Sequence, residues 1–209
     1  SILESFSDVS EADDRIEQRA ISFKVNLDKK DDPIFTRSGY LISGIIKSAG
    51  FGGERNYLKL DLNIQSYLPF GKQSVIAFRF KSGKILGWND EDNDFSYEKF
   101  YLGGSTSMRG WDVLRFKTKN SDDPLGETNR IMTNLEYRSP LYKSFGVTLF
   151  IDGGILEGDS KNISLINTKW NSGMGLTIQT PLGPARIDYA FQVESPQIWK
   201  IQLGVQNLF

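Results

Sequence analysis

The stretch WKIQLGVQNLF (199–209) sets Trp199, Ile201, Leu203, Val205 and Phe209 on one face and Lys200, Gln202, Gly204 and Gln206 on the other. Asn207 is the one polar member of the apolar face. Successive strand side chains point to opposite sides, so this pattern describes an extended segment with one apolar and one polar face. The preceding ARIDYAFQVE (185–194) repeats it, with Ala185, Ile187, Tyr189, Phe191 and Val193 opposed by Arg186, Asp188, Ala190, Gln192 and Glu194.

The pattern recurs upstream. In YLKLDLNIQSYL (57–68), Leu58, Leu60, Leu62, Ile64 and Leu68 oppose Lys59, Asp61, Asn63, Gln65 and Tyr67. In FGVTLFIDGG (145–154), Phe145, Val147, Leu149 and Ile151 oppose Thr148, Phe150 and Asp152. A soluble sandwich also alternates, but strands of about ten or more residues exceed the usual five or six and suit a bilayer crossed at a tilt. The expectation is an all-β, antiparallel transmembrane barrel of eight strands: 39–49, 56–68, 73–85, 128–138, 145–156, 169–180, 183–194 and 198–209. RAISFKVNL (19–27) also alternates, through Ile21, Phe23, Val25 and Leu27, and is a possible extra strand. Closure favours an even number, so this segment either pairs with something in 1–18 or lies outside the wall. The domain reading is an N-terminal segment 1–18, where Ser10 and Asp13 could start a short helix, followed by a barrel domain 19–209.

Composition bounds the chemistry. The 209 residues hold 25 basic and 26 acidic side chains, a formal net charge of −1, which leaves no footprint for nucleic acid. With no histidine and no cysteine, the usual imidazole and thiolate chemistries are absent, and neither a metal site nor a cofactor is expected. No nucleophile has a plausible activating base, so the chain reads as a non-enzyme. No run of about 18 apolar residues exists, which excludes membrane helices but not membrane strands. The opening SILESFSDVS lacks the basic and apolar regions of a signal peptide.

The connections are unequal. LPFGK (68–72), SPLYKS (139–144) and TPLGP (180–184) are short, whereas 86–127 and 157–168 are long or polar and SAGFGGER (48–55) is glycine-rich. Short turns on one side and longer loops on the other is the outer-membrane asymmetry, with the short side periplasmic. Both termini are then expected in the periplasm. The acidic run DEDND (90–94) is a calcium or lipid-phosphate candidate set against a solvated loop, and Asn162-Ile-Ser164 is a sequon without weight in a bacterium.

Four segments in order, FYLGGSTSMRGW (100–111), TNLEYRSPL (133–141), LFIDGGIL (149–156) and GMGLTIQTPLGPARIDYAF (173–191), resemble the barrel of the bacterial surface antigen superfamily, the eighty-five-kilodalton outer-membrane proteins. LDKKDDPIFTRSGY (27–40) resembles the periplasmic turn before a family strand. The superfamily includes the BamA and TamA assembly factors, two-partner-secretion translocators and patatin-linked proteins. Met108 and Trp111 replace its usual β-branched residue and Phe or Tyr. Its barrels have sixteen strands and preceding periplasmic repeats, for which this chain leaves no room.

The resemblance implies that the motif loop, 86–127, folds into the lumen through Gly103, Gly104, Arg109, Gly110 and Trp111. Arg109 would meet Glu136 and Asp152, which strand phase independently sets on the polar face. Phe209 would serve as the C-terminal assembly signal. Lys59, Asp61, Arg79, Arg138, Arg186 and Asp188 read as a paired polar interior or an ion path. The implied function is outer-membrane protein assembly or polypeptide transport. Alternatives are a small closed barrel or channel that keeps the motif for folding, and the barrel portion of a longer patatin-like lipase. Expected partners are outer-membrane lipid, the barrel assembly machinery during the chain's own insertion, unfolded outer-membrane or secreted polypeptides, and a homodimer partner, with strand 39–49 pairing across chains to 198–209.

Overall fold

The structure, a computed structural model, describes residues 19–52, 56–87, 97–118, 123–158, 163–181, 183–205 and 209. Residues 1–18 with the Ser10–Asp13 helix start, the acidic run 90–94, and Asn162 of the sequon lie outside the described residues.

The alternation becomes one antiparallel sheet. Its strands are β1 (Ala20–Asp28), β2 (Gly39–Ala49), β3 (Tyr57–Phe70), β4 (Ser74–Gly87), β5 (Asn129–Tyr142), β6 (Phe145–Glu157), β7 (Lys169–Thr180), β8 (Gly183–Gln192) and β9 (Ser195–Val205). Each pairs with its sequence neighbours, in the order β1 to β9. The all-β antiparallel expectation holds, with nine strands instead of eight.

Segment 19–27 is part of the wall. It pairs with β2 from Ala20↔Ala49 to Asp28↔Leu41, which sends Ile21, Phe23, Val25 and Leu27 to the outer face. Two corrections follow. β2 is flanked by β1 and β3, so its edge cannot take strand 198–209 of a second copy as the dimer expectation required. With nine sequential antiparallel strands, Ala20 starts on the rim of the long connections while Val205 ends on the rim of the short turns. The first and last strand ends therefore lie on opposite rims, not together. No pairing closes β1 onto β9 among the described residues, so the sheet is an open arc.

The arc is strongly curved. Strands three places apart in a flat sheet are separated by roughly 14 Å. Yet Glu136 on β5 and Asp188 on β8 lie 2.6 and 3.8 Å from the same guanidinium nitrogen of Arg109. The convex face carries exposed Leu62, Phe78, Leu135, Leu149, Leu176, Ile187 and Leu203, an apolar belt far larger than water-facing sheets tolerate. The concave face is filled. One cluster under the long loop joins Tyr57, Ile85, Phe100, Leu102, Met108, Met132 and Leu156, and a second at the short-turn rim joins Tyr67, Val75 and Ala77 with Phe209.

The described part of β9 ends at Val205, and residues 206–208 lie outside the described residues. Phe209 is not on the outer face with Leu203 and Val205; its ring packs inward on Tyr67, with centroids 6.1 Å apart. Periodicity cannot report this reversal, because it depends on guanidinium groups of β4 and β5 on the concave face.

Candidate functional site: the docked lumen loop

The loop between β4 and β5 bends tightly before it reaches the wall. Ser107 Oγ accepts from the Gly103 N–H and donates to the Gly103 carbonyl, both at 2.9 Å, while Gly104 N–H donates to Trp111 O. Gly103 has φ 114°, and a Cβ there would sit 2.2 Å from Asp112 O, so no other residue fits that close approach.

This bend delivers Arg109, fully buried, to the wall. Its NH2 donates to Asp152 Oδ1 at 2.6 Å and its Nε to Asp152 Oδ2 at 2.9 Å, a planar two-pronged pair. NH1 donates to Glu136 Oε1 at 2.6 Å. The guanidinium carbon lies 3.4 Å from the ring centroid of Phe150, an aromatic on the polar face of β6. That side chain is the out-of-phase signal in FGVTLFIDGG: a ring among inward polar residues gives the cation a stacking surface.

The wall also holds the loop by its main chain, which the sequence reading missed. Arg186 donates to Ser105 O, Arg79 to Thr106 O and Asn134 to Ser107 O. Asn171 donates to Arg109 O, Gln192 to Gly110 O and Gln202 to Trp111 O. Lys200 pairs with Asp112 at 2.8 Å. Six side chains from β4, β5, β7, β8 and β9 thus satisfy loop carbonyls, and where the carbonyl is buried, as at Arg109 and Gly110, leaving it unpaired costs about 1–3 kcal/mol. The sequence shows only inward amides on β5, β7, β8 and β9, a pattern that does not by itself separate a carbonyl clamp from an ordinary polar face. The Trp111 ring packs on the upper cluster, 5.1 Å from Phe116.

Several other charged side chains of the concave face are paired or hydrogen-bonded. Arg138 binds Glu136 at 2.7 Å, Arg186 Nε lies 2.6 Å from Asp188 Oδ2, Arg130 binds Asp61 at 2.6 Å, and Arg79 binds Asn134 at 2.9 Å. A second attachment, also missed, is Glu98. It accepts from Lys47 at 2.5 Å, Tyr57 at 2.9 Å and Lys59 at 3.0 Å, fixing the start of the loop to β2 and β3. Burial pushes the Glu98 carboxyl up, but these donors outweigh it and hold it down at about 2. At the far end Lys117 bridges Glu127 and Glu157; burial lowers its pKa, and the two carboxylates more than reverse that. Among the described residues no cluster of acidic side chains has metal-binding geometry.

Comparison with known proteins agrees with this architecture. The chain is 26% identical over 204 residues to the outer membrane protein assembly factor BamA of Neorickettsia risticii, covering 91% of this chain and 27% of that protein. It is 24% identical over 178 residues to the mouse sorting and assembly machinery component 50 homolog, covering 77% of this chain and 38% of that one. The crystal structure of BamA from Haemophilus ducreyi lacking POTRA domains 1–3 superposes with a TM-score of 0.71 at 19% identity, over 88% of this chain and 41% of the other. The chain therefore spans well under half the length of these relatives. Residues 4–206 match the Omp85 superfamily domain, and the chain belongs to that superfamily.

Proposed function

We propose that this chain forms the loop-bearing arc of an outer-membrane barrel that assembles outer-membrane proteins or moves unfolded polypeptide. The observation that carries the reading is β9. Among the described residues it pairs only with β8, and its other edge has no partner. In hydrocarbon an unpaired row of N–H and C=O groups is costly, so such an edge pairs readily with an incoming strand.

The docked loop supports the same reading. A lumen wall tied to a buried loop from β2 to β9 is a braced scaffold that keeps the weakly paired edge in place. The relatives are named as an assembly factor and an assembly-machinery component, which accords with a non-catalytic role. The short-turn rim faces the periplasm in this proposal, by the outer-membrane loop asymmetry. The apolar convex face then contacts outer-membrane lipid, and the chain itself is inserted by the barrel assembly machinery.

The test is reconstitution of the full-length protein in lipid vesicles, followed by addition of a urea-unfolded eight-stranded outer-membrane protein. Folding, read by heat-modifiable gel mobility, should be faster than in protein-free vesicles. Equal rates would overturn the proposal.

A further inference from the structure

The convex face carries a groove next to the β3–β4 and β5–β6 turns. Its walls are Phe70, Ile76, Leu135, Tyr137, Leu149 and Ile151, and it encloses about 340 Å³, a volume typical of an ordered ligand. Register explains the shape. Ile76 pairs with Tyr137 and Tyr137 with Leu149, while Leu135 and Ile151 pair two residues farther from the rim, about 7 Å deeper. Phe70 closes the rim end, its ring edge-on to Tyr137 with centroids 5.9 Å apart. The groove lies on β4–β6, inside the sheet, so strands added beside β1 or β9 leave it open.

The rim end of the groove is polar. Tyr137 Oη donates to Ser74 Oγ at 3.1 Å, and Ser74 Oγ donates to Ser139 Oγ at 3.0 Å. Each serine oxygen keeps a lone pair for one more donor. The adjoining turns carry charge of one sign: GKQ (71–73) holds Lys72 and YKS (142–144) holds Lys143, both exposed, with no acidic residue in either. A third cation is attached there, because Arg37 donates to Lys72 O at 2.9 Å. The acids beside Arg37 are turned to main-chain N–H groups, Asp31 to those of Asp32, Arg37 and Ser38, and Asp32 to those of Ile34 and Phe35. Apolar at depth, hydroxyl-lined at the rim and cationic beyond it, the surface matches an acyl chain, a glycerol and a phosphate in that order.

We propose that this groove binds one anionic glycerophospholipid, with an acyl chain against Leu135, Leu149 and Ile151, headgroup hydroxyls at Ser74 and Ser139, and phosphate toward Lys72 and Lys143. This rests on the lipid-facing reading of the convex surface given above and adds a preference among lipids. A zwitterionic lipid fits less well, because its terminal ammonium meets the same lysines. Each lysine at a membrane surface favours an anionic lipid by about fivefold. The inner side of the same three strands holds the loop through Arg79, Glu136 and Asp152, so the lipid registers that part of the wall against the bilayer.

The experiment uses the full-length protein in vesicles of equimolar dioleoylphosphatidylglycerol and dioleoylphosphatidylcholine. The photo-crosslinker p-benzoylphenylalanine is placed at Phe70 or, as a control, at Ile187, which is exposed on the convex side of β8 beside a turn, TPLGP (180–184), that carries no charge. Mass spectrometry of the adducts should show phosphatidylglycerol about fivefold over phosphatidylcholine at Phe70 and parity at Ile187. Lys72→Gln with Lys143→Asn, both at exposed turn positions, should bring Phe70 to parity; heat-modifiable mobility confirms that the variant is folded. Parity at Phe70 without the lysine substitutions, or an excess that survives them, would overturn the site. Lipid adducts at neither position would instead overturn the lipid-facing reading on which it rests. The vesicle folding rate tests the assembly role separately, since a groove without preference leaves that rate unchanged.

Discussion

Arg109 and Asp152 meet through both prongs of the guanidinium, at 2.6 and 2.9 Å, and the Arg109 main-chain N–H adds a third contact to the same carboxylate at 3.3 Å. Side chain and backbone of one loop residue are thus fixed by one wall residue. Arg109→Ala leaves Asp152 and Glu136 buried without that cation, and is expected to cost about 3–5 kcal/mol. Arg109→Lys should fall between, because an ammonium cannot reproduce the planar fork. Lys169→Ala, whose ammonium meets Glu194 in an exposed pair, should cost about 1 kcal/mol or less. Urea unfolding in lipid vesicles measures all three.

The bend that presents Arg109 depends on Gly103. Its φ of 114° and the 2.2 Å approach of Asp112 O leave no space for a methyl group. Gly103→Ala should cost about 1–3 kcal/mol. Gly71, in the β3–β4 turn with φ 64° and open space around it, bears only the conformational cost, and Gly71→Ala should lose about 1 kcal/mol. Equal losses at the two positions would show that the loop bend is not tight.

Much of this was legible in the residues. Period-two alternation yields the sheet, its two faces and the inward phase of Glu136 and Asp152. Ile21, Phe23, Val25 and Leu27 carry the β1 pattern as plainly as any other strand, but evenness of closed barrels argued against counting it. That argument fails because the nine described strands do not close. The carbonyl clamps were not legible: Asn171, Gln192 and Gln202 resemble any polar-face residue until a loop main chain lies against them. Phe209 was misplaced for a related reason. Alternation places Phe209 on the outer face, whereas its ring lies against two guanidinium groups more than sixty residues away in sequence.

Outward residues test the membrane face. Leu149 and Leu203 are exposed on the convex side. Leu149→Arg and Leu203→Arg should each cost about 2–4 kcal/mol near mid-bilayer, measured by vesicle unfolding. No loss at either site would contradict lipid contact.

The loop's first attachment is sensitive to acid. Glu98 is held at about 2 against a usual 4.5, so its contribution is fully present above about pH 4.5 and is lost as pH falls toward 2. Amide exchange at Phe100, whose N–H donates to Glu127 O, should accelerate over that window beyond the intrinsic pH trend. Glu98→Gln should remove the window. An identical acid profile in the variant would assign the effect elsewhere.

The attachment of the loop to the wall is tested most directly by a double-mutant cycle between Arg109 and Asp152. Vesicle unfolding free energies are measured for wild type, Arg109→Ala, Asp152→Asn and the double variant. A direct contact between buried partners predicts a coupling of about 1 kcal/mol or more. Additivity within about 0.3 kcal/mol would mean that the loop does not dock on β6 through this pair.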